Sequence, residues 1–149
     1  MDWIKLTSDD LESVLNKPQL EILKAQSLRT LKRDIAQDVL DSTIARVRAE
    51  IAASGLNVLD EDHSRIPFEL RECALRLAVE SLQLRVPTIE LSALQSKHAD
   101  LARELLLRVA TGQLPISRPA FGIRISTARR GVRSCAAKRN ATRKTLEGI

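Results

Sequence analysis

The chain has 149 residues, 44% of them hydrophobic, and its only aromatic residues are Trp3, Phe68 and Phe121. This length predicts one domain, whose core must be built from aliphatic side chains. So few aromatic residues argue against a stacking platform for single-stranded nucleic acid. Two distant cysteines, Cys73 and Cys135, argue against a disulfide framework and fit a reducing, cytoplasmic compartment. No signal peptide is expected, and no apolar run approaches the roughly 20 residues that span a membrane.

Charge divides the chain into two parts. Residues 113–149 carry nine Lys or Arg and one Glu, a net charge of +8. Residues 1–112 carry 15 basic and 18 acidic residues, a net charge of −3. We therefore predict a helical domain over 1–112 and a basic C-terminal arm over 113–149, and only the arm is a candidate to bind polyanions.

The fold class predicted is all-α, a compact bundle of about five helices. Capping residues, prolines and apolar spacing place the helices at about 7–16, 18–25, 28–54, 67–86 and 91–111. Gly55 and Gly112 are the expected C-terminal stops of the third and fifth helices. Residues 56–65 have no period and are predicted to be a loop, and the last two helices should pack antiparallel.

The arm differs in kind from the bundle. Phe121, Ile123 and Ile125 alternate with small or polar residues, which predicts a short strand that needs a partner. That partner is either the same domain or the edge of another chain. Beyond this strand, basic residues lie among small polar ones, which is typical of an extended or disordered segment.

No residue pattern favours catalysis or metal binding, so we predict a non-enzyme without cofactors. His63 and His98 have no neighbouring nucleophile or paired ligand in the sequence. Cys73 falls on an apolar stripe, as a small buried hydrophobe would. The acidic run Asp60-Glu61-Asp62 is interpreted as solvated loop charge.

Four blocks of the sequence carry a resemblance to a known family. They are Thr7-x-x-Asp10-Leu11-x-x-x-Leu15, Asp38-x-x-Asp41-x-x-Ile44-x-x-Val47-x-x-Glu50-Ile51, Pro67-x-x-Leu70-x-x-x-Ala74-x-x-Leu77-Ala78, and Leu101-x-x-x-Leu105-x-x-x-Val109-Ala110-x-Gly112-x-Leu114-Pro115. Their order resembles the head-completion, or head-to-tail connector, proteins of tailed bacteriophages, especially the small helical family of Mu-like prophages. The chain departs from that pattern in lacking tyrosine and in its long basic extension.

The resemblance implies a virion protein that assembles in the host cytoplasm as a ring, commonly of twelve copies, under the portal. Such a ring extends the DNA channel and offers a face to the tail or stopper protein. The arm would then contact a neighbouring subunit or the portal through Leu114, Ile116, Phe121, Ile123 and Ile125. The residues expected to face DNA or another polyanion are Arg124, Arg129, Arg130, Arg133, Lys138, Arg139, Arg143 and Lys144.

A second hypothesis keeps the arm but changes the class of protein. Clustered Arg and Lys neutralise phosphates without reading sequence, so the chain could be a small nonspecific DNA-binding or nucleoid-associated protein that dimerises through its helices. No helix is rich enough in Arg, Asn and Gln on one face to resemble a major-groove reader.

Overall fold

The computed structural model describes residues 3–29 and 34–123, with only the backbone at 27–29. Four α-helices are present in this part: α1 (Lys17–Arg29), α2 (Ile35–Ala53), α3 (Arg71–Arg85) and α4 (Ala93–Ala110). Short 3-10 helices occupy Ser8–Ser13 and Phe68–Leu70. The strands β1 (Trp3–Lys5), β2 (Leu59–Asp60), β3 (Arg65–Pro67) and β4 (Gly122–Ile123) form two antiparallel pairs, β1 with β3 and β2 with β4. The described chain is mostly helical, as predicted, but it is not all-α.

The core is formed where α2, α3 and α4 pack on one another. The central helix is α3. Apolar spacing predicts a buried stripe through Ala74 and Leu77, but Leu75 and Val79 are inaccessible as well. The two helices α3 and α4 pack on each other. The thiol of Cys73, near the start of α3, contacts the carbonyl of Ala102 in the middle of α4.

Apolar spacing in the sequence predicts a stripe on α4 through Leu101, Leu105, Leu106, Val109 and Ala110, and the buried stripe differs from it. It consists of Ala99, Ala102, Leu106 and Val109, whereas Leu101 keeps 58% of its surface exposed. The period of 3.6 residues explains the difference, because a face centred on Ala102 and Leu106 turns Leu101 towards the edge. Leucine content alone does not show which face of an amphipathic helix contacts the core.

The start of α4 has the predicted N-terminal cap. Ser92 accepts a hydrogen bond from the amide of Gln95 (3.2 Å), and the Gln95 side chain accepts one from the Ser92 amide (3.0 Å). The predicted start of the third helix at about 28 was wrong: α2 begins at Ile35, where Asp34 accepts a hydrogen bond from the amide of Ala36. The α1 helix continues to Arg29, past the predicted end at Ala25.

The predicted loop at 56–65 was wrong in part. It contains β2 and the start of β3, and β3 pairs with β1 in the register Trp3 to Pro67, Ile4 to Ile66 and Lys5 to Arg65. Strands of two or three residues are too short to show a period of two, and their partners are distant in sequence.

The predicted first helix at 7–16 is a 3-10 helix held by Asp10. The Asp10 carboxylate accepts hydrogen bonds from the Thr7 amide (2.8 Å) and the Thr7 hydroxyl (3.1 Å), and it forms an ion pair with Arg71 (2.8 Å). Partial burial raises the pKa of Asp10, but the Thr7 amide and Arg71 outweigh it and hold this pKa below its usual range. Asp10 thus fastens the N-terminal segment to the start of α3.

The lowered pKa of Asp10 predicts a specific acid sensitivity. A carboxyl group with a lower pKa in the folded state stabilises the fold above its unfolded-state pKa of about 3.9 and loses that contribution as pH falls. We expect Asp10→Asn to lower the urea midpoint at pH 7 and to flatten its decline below about pH 4. The exposed Asp9→Asn is the matched control, and identical acid limbs for wild type and Asp10→Asn would contradict this role.

Candidate interaction surface

The C-terminal ends of α2 and α4 meet at one end of the molecule. Both helices end in a glycine with positive φ, Gly55 at 65° and Gly112 at 76°. The amide of Gly112 donates to the carbonyl of Val109, and that of Gln113 donates to Arg108, which is a Schellman cap. A Cβ at Gly112 would lie 2.9 Å from Cδ1 of Leu56, so the two chain reversals touch.

After Gly112 the chain turns back along the body instead of leaving it. We call residues 113–123 the tail return. Ile116 packs against the core, and the Trp3 indole Nε1 donates to the carbonyl of Ser117 (3.0 Å). The Ser117 hydroxyl donates to the carboxylate of Glu69. Burial raises the pKa of Glu69, but the bond from Ser117 and other hydrogen bonds outweigh it and lower this pKa.

The tail return ends in β4, which pairs with β2 of the same chain. Ile123 lies opposite Leu59, and Gly122 lies opposite Asp60. A Cβ at Gly122 would lie 2.3 Å from Cγ1 of Val58, so only glycine fits this close approach without displacement. Of the alternatives for the predicted strand, pairing within its own domain is the one that the structure contains.

Arg48 holds residues 60–65 in place by hydrogen bonds, and this segment begins at the end of β2, the partner strand of β4. The Arg48 side chain lies on the core-facing side of α2, and the residue is only 6% exposed. The guanidinium donates to three backbone carbonyls, those of Asp60 (2.6 Å), Arg65 (2.7 Å) and Asp62 (3.0 Å). Its Cζ lies 5.6 Å from the centre of the Trp3 ring, within cation–π range. Burial lowers the pKa of Arg48, although Asp60 and Asp62 oppose this.

These contacts create an apolar surface where the arm begins, which we call the arm-root surface. It comprises Leu56, Leu114, Phe121 and Ile123, all exposed, with Phe121 the most open at 75%. A cavity of about 180 Å³ lies between the Leu56–Val58 segment and the first half of the tail return. Exposed apolar side chains concentrated in two chain segments that contact each other are typical of an interaction site.

The residues predicted to contact a neighbouring subunit or the portal lie in different environments. Leu114, Phe121 and Ile123 lie on the arm-root surface, whereas Ile116 is half buried beneath it. Ile125 lies outside the described residues. The same holds for every residue predicted to face DNA, namely Arg124, Arg129, Arg130, Arg133, Lys138, Arg139, Arg143 and Lys144. Sequence reasoning did not include Leu56 in this site, because it took the segment after Gly55 for an ordinary loop.

The other chemically suggestive residues are accounted for by packing. Cys73 is buried, as predicted, and burial raises the pKa of its thiol to about 11, so the reactive thiolate is disfavoured at neutral pH. The interpretation of Asp60 as a solvated charge was wrong. It is 8% exposed, and its carboxylate accepts from the Asp62 amide (2.8 Å). Residues 3–29 and 34–123 contain no group of His, Cys, Asp and Glu that could hold a metal ion.

Comparison with protein-family models, curated proteins and solved structures found no match to this chain. Within the described ranges, no helix is long and apolar enough to cross a membrane.

The cap at Gly112 gives a prediction for the root of the arm. Gly112→Ala forces a side chain into the left-handed region and towards Leu56, so we expect a loss of about 1 kcal/mol in the free energy of unfolding. Asparagine tolerates this conformation better, so Gly112→Asn should lose less. Urea denaturation of the three proteins measures the order, and an alanine variant as stable as wild type would contradict the cap.

Proposed function

We propose that the chain is a structural subunit of the head-to-tail connector of a tailed phage or prophage, forming a ring beneath the portal and extending the DNA channel. The observation that carries the proposal is the arm-root surface, where exposed Leu56, Leu114, Phe121 and Ile123 adjoin the start of a strongly basic arm. An assembly subunit needs such a contact surface on a firm base. Three helices packed on one another and the carbonyl contacts of Arg48 supply that base.

The resemblance in the order of sequence blocks adds a second line of support. Three of the four blocks coincide with α2, the start of α3 and α4. The first coincides with the Asp10-centred 3-10 helix. A body with net charge −3 and an arm with net charge +8 suit a protein that contacts both protein and nucleic acid, since only the arm attracts phosphates.

Co-sedimentation with a portal ring from the same phage or prophage tests the proposal. The full chain should migrate with the portal, and Phe121→Ser/Ile123→Ser should migrate with it at least about tenfold less well. Leu84→Ser is the matched control, because Leu84 is 83% exposed but lies on α3, outside the arm-root surface. Absence of portal binding by the wild-type chain would contradict the connector assignment.

The same preparation distinguishes the DNA-binding alternative. A chain that ignores the portal but binds duplex DNA with steep salt dependence would favour the nonspecific DNA-binding protein. Any truncation for this comparison should follow Ile123, because a cut after Pro115 would also remove Ser117 and β4, which contact the body.

A further inference from the structure

A groove between α3 and α4 is the second apolar feature of the surface. Leu94, His98, Leu101 and Leu105 follow one another at spacings of four, three and four residues, so they share one face of α4. Leu94 is 63% exposed and Leu101 58%. Shallow cavities of about 360 and 140 Å³ lie along this face, and both are lined by Glu72 and Arg76, which makes the groove continuous.

Charged side chains line the edge of the groove, and apolar side chains line its base. Glu72 forms an ion pair with Arg76 in the same helix, and its side chain is still 70% exposed. Glu69 lines the end of the groove near Leu105. Scattered exposed leucines need no explanation, but leucines aligned along a concave surface favour a ligand with an apolar ridge.

The arm-root surface carries a ridge of that kind. Phe121 and Ile123 are exposed on either side of Gly122, whose close contact with Val58 fixes the ridge on the body. The exposed Arg118 precedes the ridge and forms no ion pair with any residue in the described ranges. The ridge therefore combines apolar side chains with an available cation, and the groove combines an apolar floor with an accessible carboxylate.

We propose that the groove between α3 and α4 receives the Phe121–Ile123 ridge of a second copy of this chain, with Arg118 of that copy beside Glu72. Charge complementarity selects this occupant, because the ridge brings a cation to a rim on which Glu69 and Glu72 outnumber Arg76. The inference rests on the proposed ring and specifies which two surfaces join its subunits.

The two surfaces differ, and this determines the kind of assembly. In a ring each copy offers its groove to one neighbour and its ridge to another, which is a heterologous contact, so the first two copies leave one groove and one ridge open. Association then continues beyond two copies until the ring closes. A two-fold contact would stop at a dimer, so the size of the assembly discriminates between the arrangements.

Mixing two full-length variants tests the proposal. Leu101→Asp places a charge in the groove and leaves the ridge intact, whereas Phe121→Ser removes the ridge anchor and leaves the groove intact. Analytical ultracentrifugation over rising concentrations should show wild type growing beyond a dimer and each variant self-associating at least about tenfold more weakly. An equimolar mixture should form a particle of twice the 16.6 kDa chain mass and no larger.

Leu84→Asp is the control, since it adds the same charge at an exposed leucine of α3 outside the groove, and it should associate as wild type does. Unchanged circular dichroism and thermal midpoints establish that both variants fold.

The proposal is overturned if wild type stays monomeric or stops at a dimer, or if the two variants fail to pair. It is also overturned if Leu101→Asp loses portal binding while self-association persists, because the groove would then belong to the portal. Wild type that binds the portal without self-association would reject this contact and leave the connector function standing.

Discussion

Replacing Arg48 by alanine is expected to lower the free energy of unfolding by about 3 kcal/mol or more. The change leaves the carbonyls of Asp60, Asp62 and Arg65 without their donor and removes the cation beside Trp3. It also removes a positive charge that interacts with the 8% exposed Asp60. Small domains are usually stabilised by roughly 5–15 kcal/mol, so this loss would be a large share of the total free energy of unfolding.

Arg46→Ala is the matched control for this prediction. Arg46 lies two residues away on the exposed side of the same helix, so its loss should cost no more than about 0.5 kcal/mol. Arg48→Lys keeps the charge but cannot reach three carbonyls in the same geometry, and it should fall between the two. Urea denaturation at pH 7 measures all four proteins. If Arg48→Ala and Arg46→Ala unfold at the same urea concentration, Arg48 does not organise this segment.

The second large effect is expected at Leu75. This side chain is fully buried in α3, so Leu75→Ala leaves a cavity and should cost about 2–5 kcal/mol. Leu84→Ala makes the same chemical change at a position that is 83% exposed, and it should be nearly neutral. Thermal and urea midpoints give the comparison, and similar losses at the two positions would contradict the central placement of α3.

Helices were predictable from sequence where local signals agree. The cap at Ser92 and the stops at Gly55 and Gly112 depend on neighbouring residues only, so they are visible in the chain. Burial depends on partners from elsewhere in the chain. Apolar spacing did not show that α3 is covered on more than one side at Leu75, nor that Arg48 is buried under a segment that supplies three carbonyls.

The candidate site was predictable only in part, for the same reason. Alternation at Phe121 and Ile123 indicated a short strand, and the structure contains one at Gly122–Ile123. Its partner, Leu59–Asp60, lies more than 60 residues earlier and has no strand signal of its own. The bond from Trp3 to Ser117 joins the two ends of the described chain, a contact that no local pattern indicates. The sequence therefore indicated the arm but not the contacts with β2 and Trp3 that hold its first residues on the body.

The central claim is that the arm-root surface is an assembly contact of a portal-bound ring. Hydrogen–deuterium exchange of the full chain, free and bound to portal, tests it most directly. We predict slower exchange at residues 56–60 and 113–123 in the complex, with little change in the interior of α2, whose amides are already protected. Unchanged exchange at both segments in a saturated complex would contradict the claim.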